Sequence, residues 1–165
     1  MNLRTVRVPI QDLVSKVAAA ARPRFEAKGI NLTSDEGPAV GQVLVDPDRL
    51  AEALGALLDN ALRHTAKGGT VIITTTRGDN RCRIAVTDTG DGFDPDVAAQ
   101  LFERFYRGDS SRTVNGAGSG IGLTIAKAII EAHHGQLRAH SDGPGKGASF
   151  EITLPIAARA RKDDL

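Results

Sequence analysis

With 165 residues, 41% of them hydrophobic, the chain has material for one compact domain with a real core and no room for a second. Its 21 Lys and Arg face 20 Asp and Glu, so no whole-molecule field argues for nucleic acid or a membrane surface as a partner, and any electrostatic function must be local. A single cysteine, Cys82, excludes an internal disulfide and fits a reducing, cytoplasmic setting. No apolar run approaches the ~20 residues that cross a bilayer, and the N-terminus reads as neither a signal peptide nor a lipidation site.

An apolar, alanine-rich pattern starts at Ile10 and continues from Val14 through Ala21, predicting a helix whose C-terminal end Pro23 disturbs and which Gly29 closes. Short strands are expected at 30–33 and 43–45. Asp46-Pro47-Asp48 then sets an acid at an N-cap with proline at the first helical position, so a helix should run from 47 to about 64. Gly68-Gly69 turns the chain into a β-branched run, 70–77, and Gly78-Asp79-Asn80 turns it again into 81–87, which makes a hairpin. D-T-G-D-G-F follows at 88–93, then a short helix ending near Phe105, then a polar, glycine-rich stretch at 107–118 that reads as a mobile loop. A helix over 120–134, a strand at 136–141, a turn at 142–147 and a strand at 149–154 lead to a polar tail, 157–165. This order predicts an α+β fold: a two-layer sandwich with helices on one face of a mixed, mostly antiparallel sheet.

Three stretches carry chemistry. On the helix 47–64, at ~100° per residue, Leu50, Leu54, Leu57, Leu58 and Ala61 share one stripe, and Ala56, Asn60, Arg63 and His64 lie along its edge. An amide beside a core face is expensive to bury without partners, whereas its oxygen suits a hard cation such as Mg²⁺. Arg63 and His64 can then reach an anion held by that cation; a cap or surface position is the plain alternative. In 88–93, two glycines at spacing two permit close approach to a flat ligand, and an Asp at a strand end can accept from an exocyclic amine such as that of adenine. A purely structural turn has the same composition. Gly116, Gly118, Gly120 and Gly122 alternate into the next helix, exposing N–H groups backed by the positive end of its dipole, which suits phosphate as well as it suits a flexible hinge. The dinucleotide fingerprint does not apply, because these glycines follow a loop and not a strand, and no Gly-Lys-Ser/Thr follows as a P-loop requires.

In this order and spacing the pieces resemble the histidine-kinase branch of the GHKL ATPase superfamily, which also holds gyrase, Hsp90 and MutL. L-L-D-N-A-L-R-H at 57–64 matches its N box, D-T-G-D-G-F at 88–93 its first glycine box, and L-F-E-R-F-Y-R-G at 101–108 its F box. G-S-G-I-G-L-T-I at 118–125 matches the second glycine box, and G-K-G-A-S-F at 145–150 resembles the third. The resemblance implies a Bergerat-type sandwich over 1–156, with ATP and Mg²⁺ as cofactors. It implies that Asn60 coordinates Mg²⁺ and acts catalytically with Arg63 near the phosphates, that His64 lies near ribose or phosphate, and that Asp88 accepts from the adenine amino group. Gly90, Gly92 and Phe93 would line the pocket beneath the base. The loop 107–118 would be the ATP lid, with Arg107 and Arg112 reaching phosphate and Gly118, Ser119, Gly120, Ile121, Gly122 and Leu123 cradling it. Ser149 joins the ATP-binding set, with a plain strand position as its alternative. Phe102, Arg104 and Phe105 would dock the partner, although Phe102, Phe105 and Tyr106 read equally as core anchors of the lid.

The implied activity is transfer of the γ-phosphoryl of Mg-ATP to a histidine on a dimerisation domain, in cis or on another chain, with a response regulator reached indirectly. No histidine here (His64, His133, His134, His140) sits in the H-E-x-x-x-P setting of a phosphoacceptor helix. Ala56 departs from the family, which has Asn there, or a water-activating Glu in the hydrolytic relatives; slow hydrolysis follows from its lack of a general base. An anti-sigma-type serine kinase and a catalytically silent, nucleotide-dependent binding module are the alternatives.

Overall fold

The computed structural model describes residues 1–35, 37–103 and 121–156. In chain order these form strand β1 (Val6–Pro9), helix α1 (Ile10–Lys28), strands β2 (Asn31–Asp35) and β3 (Gln42–Val45), helix α2 (Pro47–His64), strands β4 (Thr70–Gly78) and β5 (Arg81–Asp88), a 3-10 helix (Pro95–Phe102), helix α3 (Gly122–Ala132), and strands β6 (Gln136–His140) and β7 (Ala148–Pro155). Five strands make one sheet in the order β2-β4-β5-β7-β6, with β2 parallel to β4 and the other pairs antiparallel. Period-two burial explains why one face is covered. Cys82, Ile84, Val86 and Asp88 point inward from β5, and Ala148, Phe150, Ile152 and Leu154 from β7, while the residues between them are more exposed. Leu50, Leu54, Leu57 and Leu58 of α2 and Ile129 and Ile130 of α3 are fully buried over the inner face. The α+β sandwich expected from the sequence is the fold observed.

Asp46 starts α2 as its sequence predicts, accepting from the N–H groups of Asp48 and Arg49 at 3.1 and 3.2 Å. The Arg4 N–H also donates to this carboxylate, at 2.9 Å, and the Arg4 and Arg49 N–H groups hold it below its ordinary value of 3.8. Because the folded group titrates below the unfolded one, these bonds stabilise the protein fully above that value and are lost as the pH falls through the lowered one. Cys82 is a core packing group: burial pushes its thiol up to about 11, against an opposing pull from Arg77.

Several elements differ from expectation. Residues 6–9, given no strand above, pair antiparallel with β3 in a separate ribbon, Val6 opposite Val45 and Val8 opposite Val43. Only Val8 of the four is buried, so the segment offers too little pattern to read. Helix α1 runs past Pro23 to Lys28. Proline removes one bond, to the carbonyl of Ala19 on an exposed stretch, while Phe25 beyond it is fully buried. Gly29, at φ 80, then closes the helix with its N–H on the Glu26 carbonyl. The helix expected after residue 93 is a 3-10 helix that ends at Phe102.

At the other end of α3, His134 holds φ 63 directly after the C-cap residue His133. A side chain in that left-handed region costs about 1 kcal/mol. His134→Gly should therefore raise the melting temperature by about 2–4 °C; a melt at or below that of the parent would show that the imidazole offsets its own strain.

Candidate functional site

The last turn of α2 and the turn that leaves β5 are clipped together. The Asp91 N–H donates to the His64 carbonyl at 2.9 Å, and Asp91 Oδ2 lies 3.2 Å from His64 Nδ1. Gly90 is where the clip is tightest, since a Cβ there would collide with that same His64 carbonyl. Gly92, at φ 62, is pressed against the carbonyls of Gly143 and Gly147. The Gly145 N–H donates to the Asp91 carbonyl at 2.6 Å and the Gly147 N–H to the Gly90 carbonyl at 3.1 Å. Ser141 Oγ, buried, accepts from the Phe93 N–H at 3.1 Å and donates to the Gly147 carbonyl at 2.7 Å. The missing side chains of Gly90 and Gly92 thus serve backbone packing within the protein. On this base sits Asp88, 4% exposed, whose Oδ1 accepts from the Gly90 N–H at 2.8 Å.

One turn back along α2 lies Asn60, 3% exposed. Its Nδ2, like Arg63 Nε, is buried and meets no hydrogen-bond partner among the described residues. Such a group costs about 1–3 kcal/mol unless something beyond those residues meets it, as a ligand would. Lys28 Nζ donates to the Leu62 carbonyl at 2.6 Å and the Arg63 carbonyl at 3.4 Å, capping the negative end of the helix. The start of α3 comes against the same edge: a Cβ on Gly122 would stand 3.9 Å from that of Ala56. Ile121 is the N-cap, its carbonyl accepting from the Ile125 N–H at 2.8 Å, and Leu123 packs half-buried on the core. A positive helix end therefore faces the edge that carries Asn60, an arrangement that favours an anion between them. Thr124, which sequence reasoning passed over, donates from Oγ1 to the Phe102 carbonyl at 2.8 Å and ties the first turn of α3 to the 3-10 helix. A hydroxyl in the first turn of a glycine-opened helix was the available signal.

Two expected members of the site are elsewhere. Ser149 alternates with Ala148 and Phe150, so its side chain leaves β7 on the outer face, 3.2 Å from Thr87 Oγ1; Asp88, paired with Ala148, faces inward. The ring of Phe93 is 3% exposed and lies 6.2 Å from that of Phe150, making it a core anchor for the turn and not a pocket wall. Phe102 meets Phe150 edge-on at 6.2 Å with Lys127 Nζ 5.8 Å from its ring centroid, and lines a surface groove of about 270 Å³ with Ala98 and Leu137. Its side chain fits the core-anchor alternative. Arg104, Phe105, Tyr106, Arg107, Arg112, Gly118, Ser119 and Gly120, the lid 107–118 and the tail 157–165 lie outside the described residues.

Among curated proteins, the sensor histidine kinase CusS of Escherichia coli K12 is 44% identical over 146 residues, 88% of this chain and 30% of its own length. The signal transduction histidine-protein kinase BaeS of the same strain is 37% identical over 150 residues, 90% of this chain and 32% of its own length. Among solved structures, full-length ShkA in complex with AMPPNP aligns with a TM-score of 0.80 and 32% identity over 98% of this chain and 33% of that one. The chain spans about a third of the length of the curated relatives it matches. The family profile matches residues 45–158, a stretch that runs from the N-cap of α2 through the clipped turn and α3 to the end of β7. The chain belongs to the histidine kinase-, DNA gyrase B- and HSP90-like ATPase family.

Proposed function

We propose that residues 1–156 form the catalytic, ATP-binding part of a protein histidine kinase, which holds Mg-ATP and passes its γ-phosphoryl to a histidine on a dimerising phosphoacceptor domain, in cis or on a separate chain. A response regulator is the downstream acceptor. The observation that carries this reading is the buried edge of α2, where Asn60 and Arg63 present polar atoms unmet by any described residue beside a helix N-terminus. The relatives named above are sensor histidine kinases, and neither the serine-kinase alternative nor the silent module draws support from them. A placement in the cytoplasm, without contact to nucleic acid or membrane, belongs to the same proposal; among the described residues no helix is long and apolar enough to cross a membrane.

The chain's own groups divide the work. Asp88, held by the Gly90 N–H, accepts from the adenine amino group, with the Gly90–Gly92 backbone beneath the base. The Asn60 amide oxygen holds the cation, Arg63 attracts phosphate, and His64, oriented by Asp91, lies at the ribose or phosphates. When bound, Mg²⁺ neutralises charge on the phosphoryl group in transfer. Asp88→Asn keeps an oxygen for the Gly90 N–H but turns an N–H toward the adenine donor, so ATP and ADP affinity should fall about tenfold or more, the cost of a buried unpaired donor. Unchanged affinity by calorimetry would remove Asp88 from the base site.

The transfer itself is tested with γ-labelled ATP. His64 is held at the site by Asp91, His133 is buried, His134 follows the C-cap of α3 at the end opposite its N-terminus, and His140 lies on β6 with its ring on Asp142 at 3.1 Å, so in-line attack needs an imidazole delivered from outside. Acid-labile label should appear on a partner helical domain and not on this chain alone. Label on this chain by itself would contradict the proposal.

A further inference from the structure

Helices α2 and α3 run antiparallel and touch at two identifiable points. At one end Gly122 stands beside Ala56. At the other the Asp46 N–H, directly before α2, donates to His133 Nε2 at 3.0 Å, while His133 Nδ1 lies 2.8 Å from the Ile129 carbonyl oxygen. The spans between these points match: ten residues along α2 rise ~15 Å and eleven along α3 ~16 Å. Between these points both helices bury apolar side chains in the one core, Leu50 and Leu54 from α2 and Ala126 and Ile129 from α3 among them. Apolar packing is non-directional and weakly resists a small axial slide, whereas a buried hydrogen bond between groups each 7% exposed does resist it.

We infer that His133 is a positioning residue: it fixes the axial register of α3 against α2, and through it the distance between Asn60 and the N-terminus of α3, the two elements that meet the nucleotide phosphates. Its hydrogen-bonding roles are set by its neighbours. A backbone N–H only donates, so Nε2 is bare; a carbonyl only accepts, so Nδ1 carries the hydrogen. The end of α3 that holds His133 is itself anchored. The Gly135 N–H donates to the Ile130 carbonyl at 2.9 Å, and a Cβ on Gly135 would collide with the Thr153 carbonyl of β7. Asp46 is likewise tied down, through its carboxylate, by the N–H groups of Arg4, Asp48 and Arg49. A shift at one end of two stiff, side-by-side helices is therefore passed to the other.

This inference rests on the proposed reading of a phosphate site between α2 and α3, and the test separates the two. ATP is titrated calorimetrically into the full chain with Mg²⁺ present. His133→Leu, which removes both bonds at similar volume, should weaken binding about threefold to tenfold, as a small misplacement of binding groups does. His133→Gln, whose amide can accept from Asp46 and donate to Ile129, should restore most of it. Val14→Ala, a core truncation on α1 that carries neither helix end, should lower the melting temperature yet leave affinity within about twofold well below the melt. Nitrogen NMR of the unliganded chain should find His133 as the Nδ1–H tautomer. Parent-like affinity in His133→Leu, or an Nε2–H tautomer, overturns the inference alone. Failure of the parent to bind Mg-ATP overturns the nucleotide reading beneath it. Should His133→Leu not fold, His133→Asn takes its place: its shorter amide can keep the bond to the Ile129 carbonyl but not reach the Asp46 N–H, so the register bond is lost and affinity should fall in the same way.

Discussion

Asn60→Ala should abolish the Mg²⁺-dependent part of ATP binding and lower phosphoryl transfer by about a hundredfold or more, while the melting temperature stays within a few degrees of the parent's. The stability half of this expectation rests on the buried amide nitrogen, the functional half on the cation role proposed for the amide oxygen. The side chain is 3% exposed and its Nδ2 bonds to no described residue, so the folded state gains little from the amide and bears its desolvation, about 1–3 kcal/mol for such a group. Removing it relieves that cost and offsets the small void an alanine leaves. Function has no such compensation. Asn60 is the sole amide side chain on α2, because the position one turn earlier is Ala56; nothing on the helix can replace its oxygen. A structural amide would behave in the opposite way, losing stability and keeping the Mg²⁺ response, and thermal melts paired with calorimetry with and without Mg²⁺ distinguish the cases.

What could be read from the sequence was local. The N-cap of α2 declares itself because an acid, a proline and an apolar stripe fall within a few residues, and the β4–β5 hairpin because a turn signal separates two β-branched runs. The edge of α2 was legible for the same reason: 3.6-residue periodicity places Asn60, Arg63 and His64 together with no knowledge of the rest of the fold. Pro23 was over-read, since proline's local penalty was weighed without the burial of Phe25 two residues later. The β1 strand could not be seen, because its pairing depends on β3, some 36 residues away in register, and not on its own pattern.

Ser149 and Phe93 show a different limit. Period-two alternation along β7 already sets Ser149 with Glu151 and Thr153, away from Asp88. The motif offered a ligand role beside a plain strand position, and the pleat favours the second. For Phe93 the motif gave a position in the chain and no direction for the ring; that direction depends on Phe150, which the sequence does not connect to it. The Asp46–His133 bond is of this kind too, joining residues 87 positions apart. The glycines of 88–93 were singled out for approach to a ligand, whereas the partners that press on them, His64 and the 143–147 turn, become visible only in the fold.

Gly90→Ala should destabilise the chain by about 2–4 kcal/mol, whereas the same change at Gly55 should stabilise it by about 0.5–1 kcal/mol. At Gly90 the added carbon would overlap the His64 carbonyl and stand 2.7 Å from its carbon. Backbone atoms cannot rotate aside as a flexible side chain would, so either the end of α2 or the turn must move. Movement there breaks the Asp91 N–H bond to His64, adding about 1 kcal/mol to an overpacking cost of about 1–3 kcal/mol. Gly90 is not among the glycines with positive φ, so the penalty is steric and not conformational. Because the turn also carries Asp88, nucleotide affinity should fall with stability. Gly55 lies inside α2, where a Cβ would meet nothing within 4 Å; alanine there reduces the entropy of the unfolded chain without straining the folded one. Urea unfolding of the two variants beside the parent decides the point. A Gly90→Ala midpoint close to the parent's would mean that the clip between α2 and the β5 turn is looser than its geometry requires.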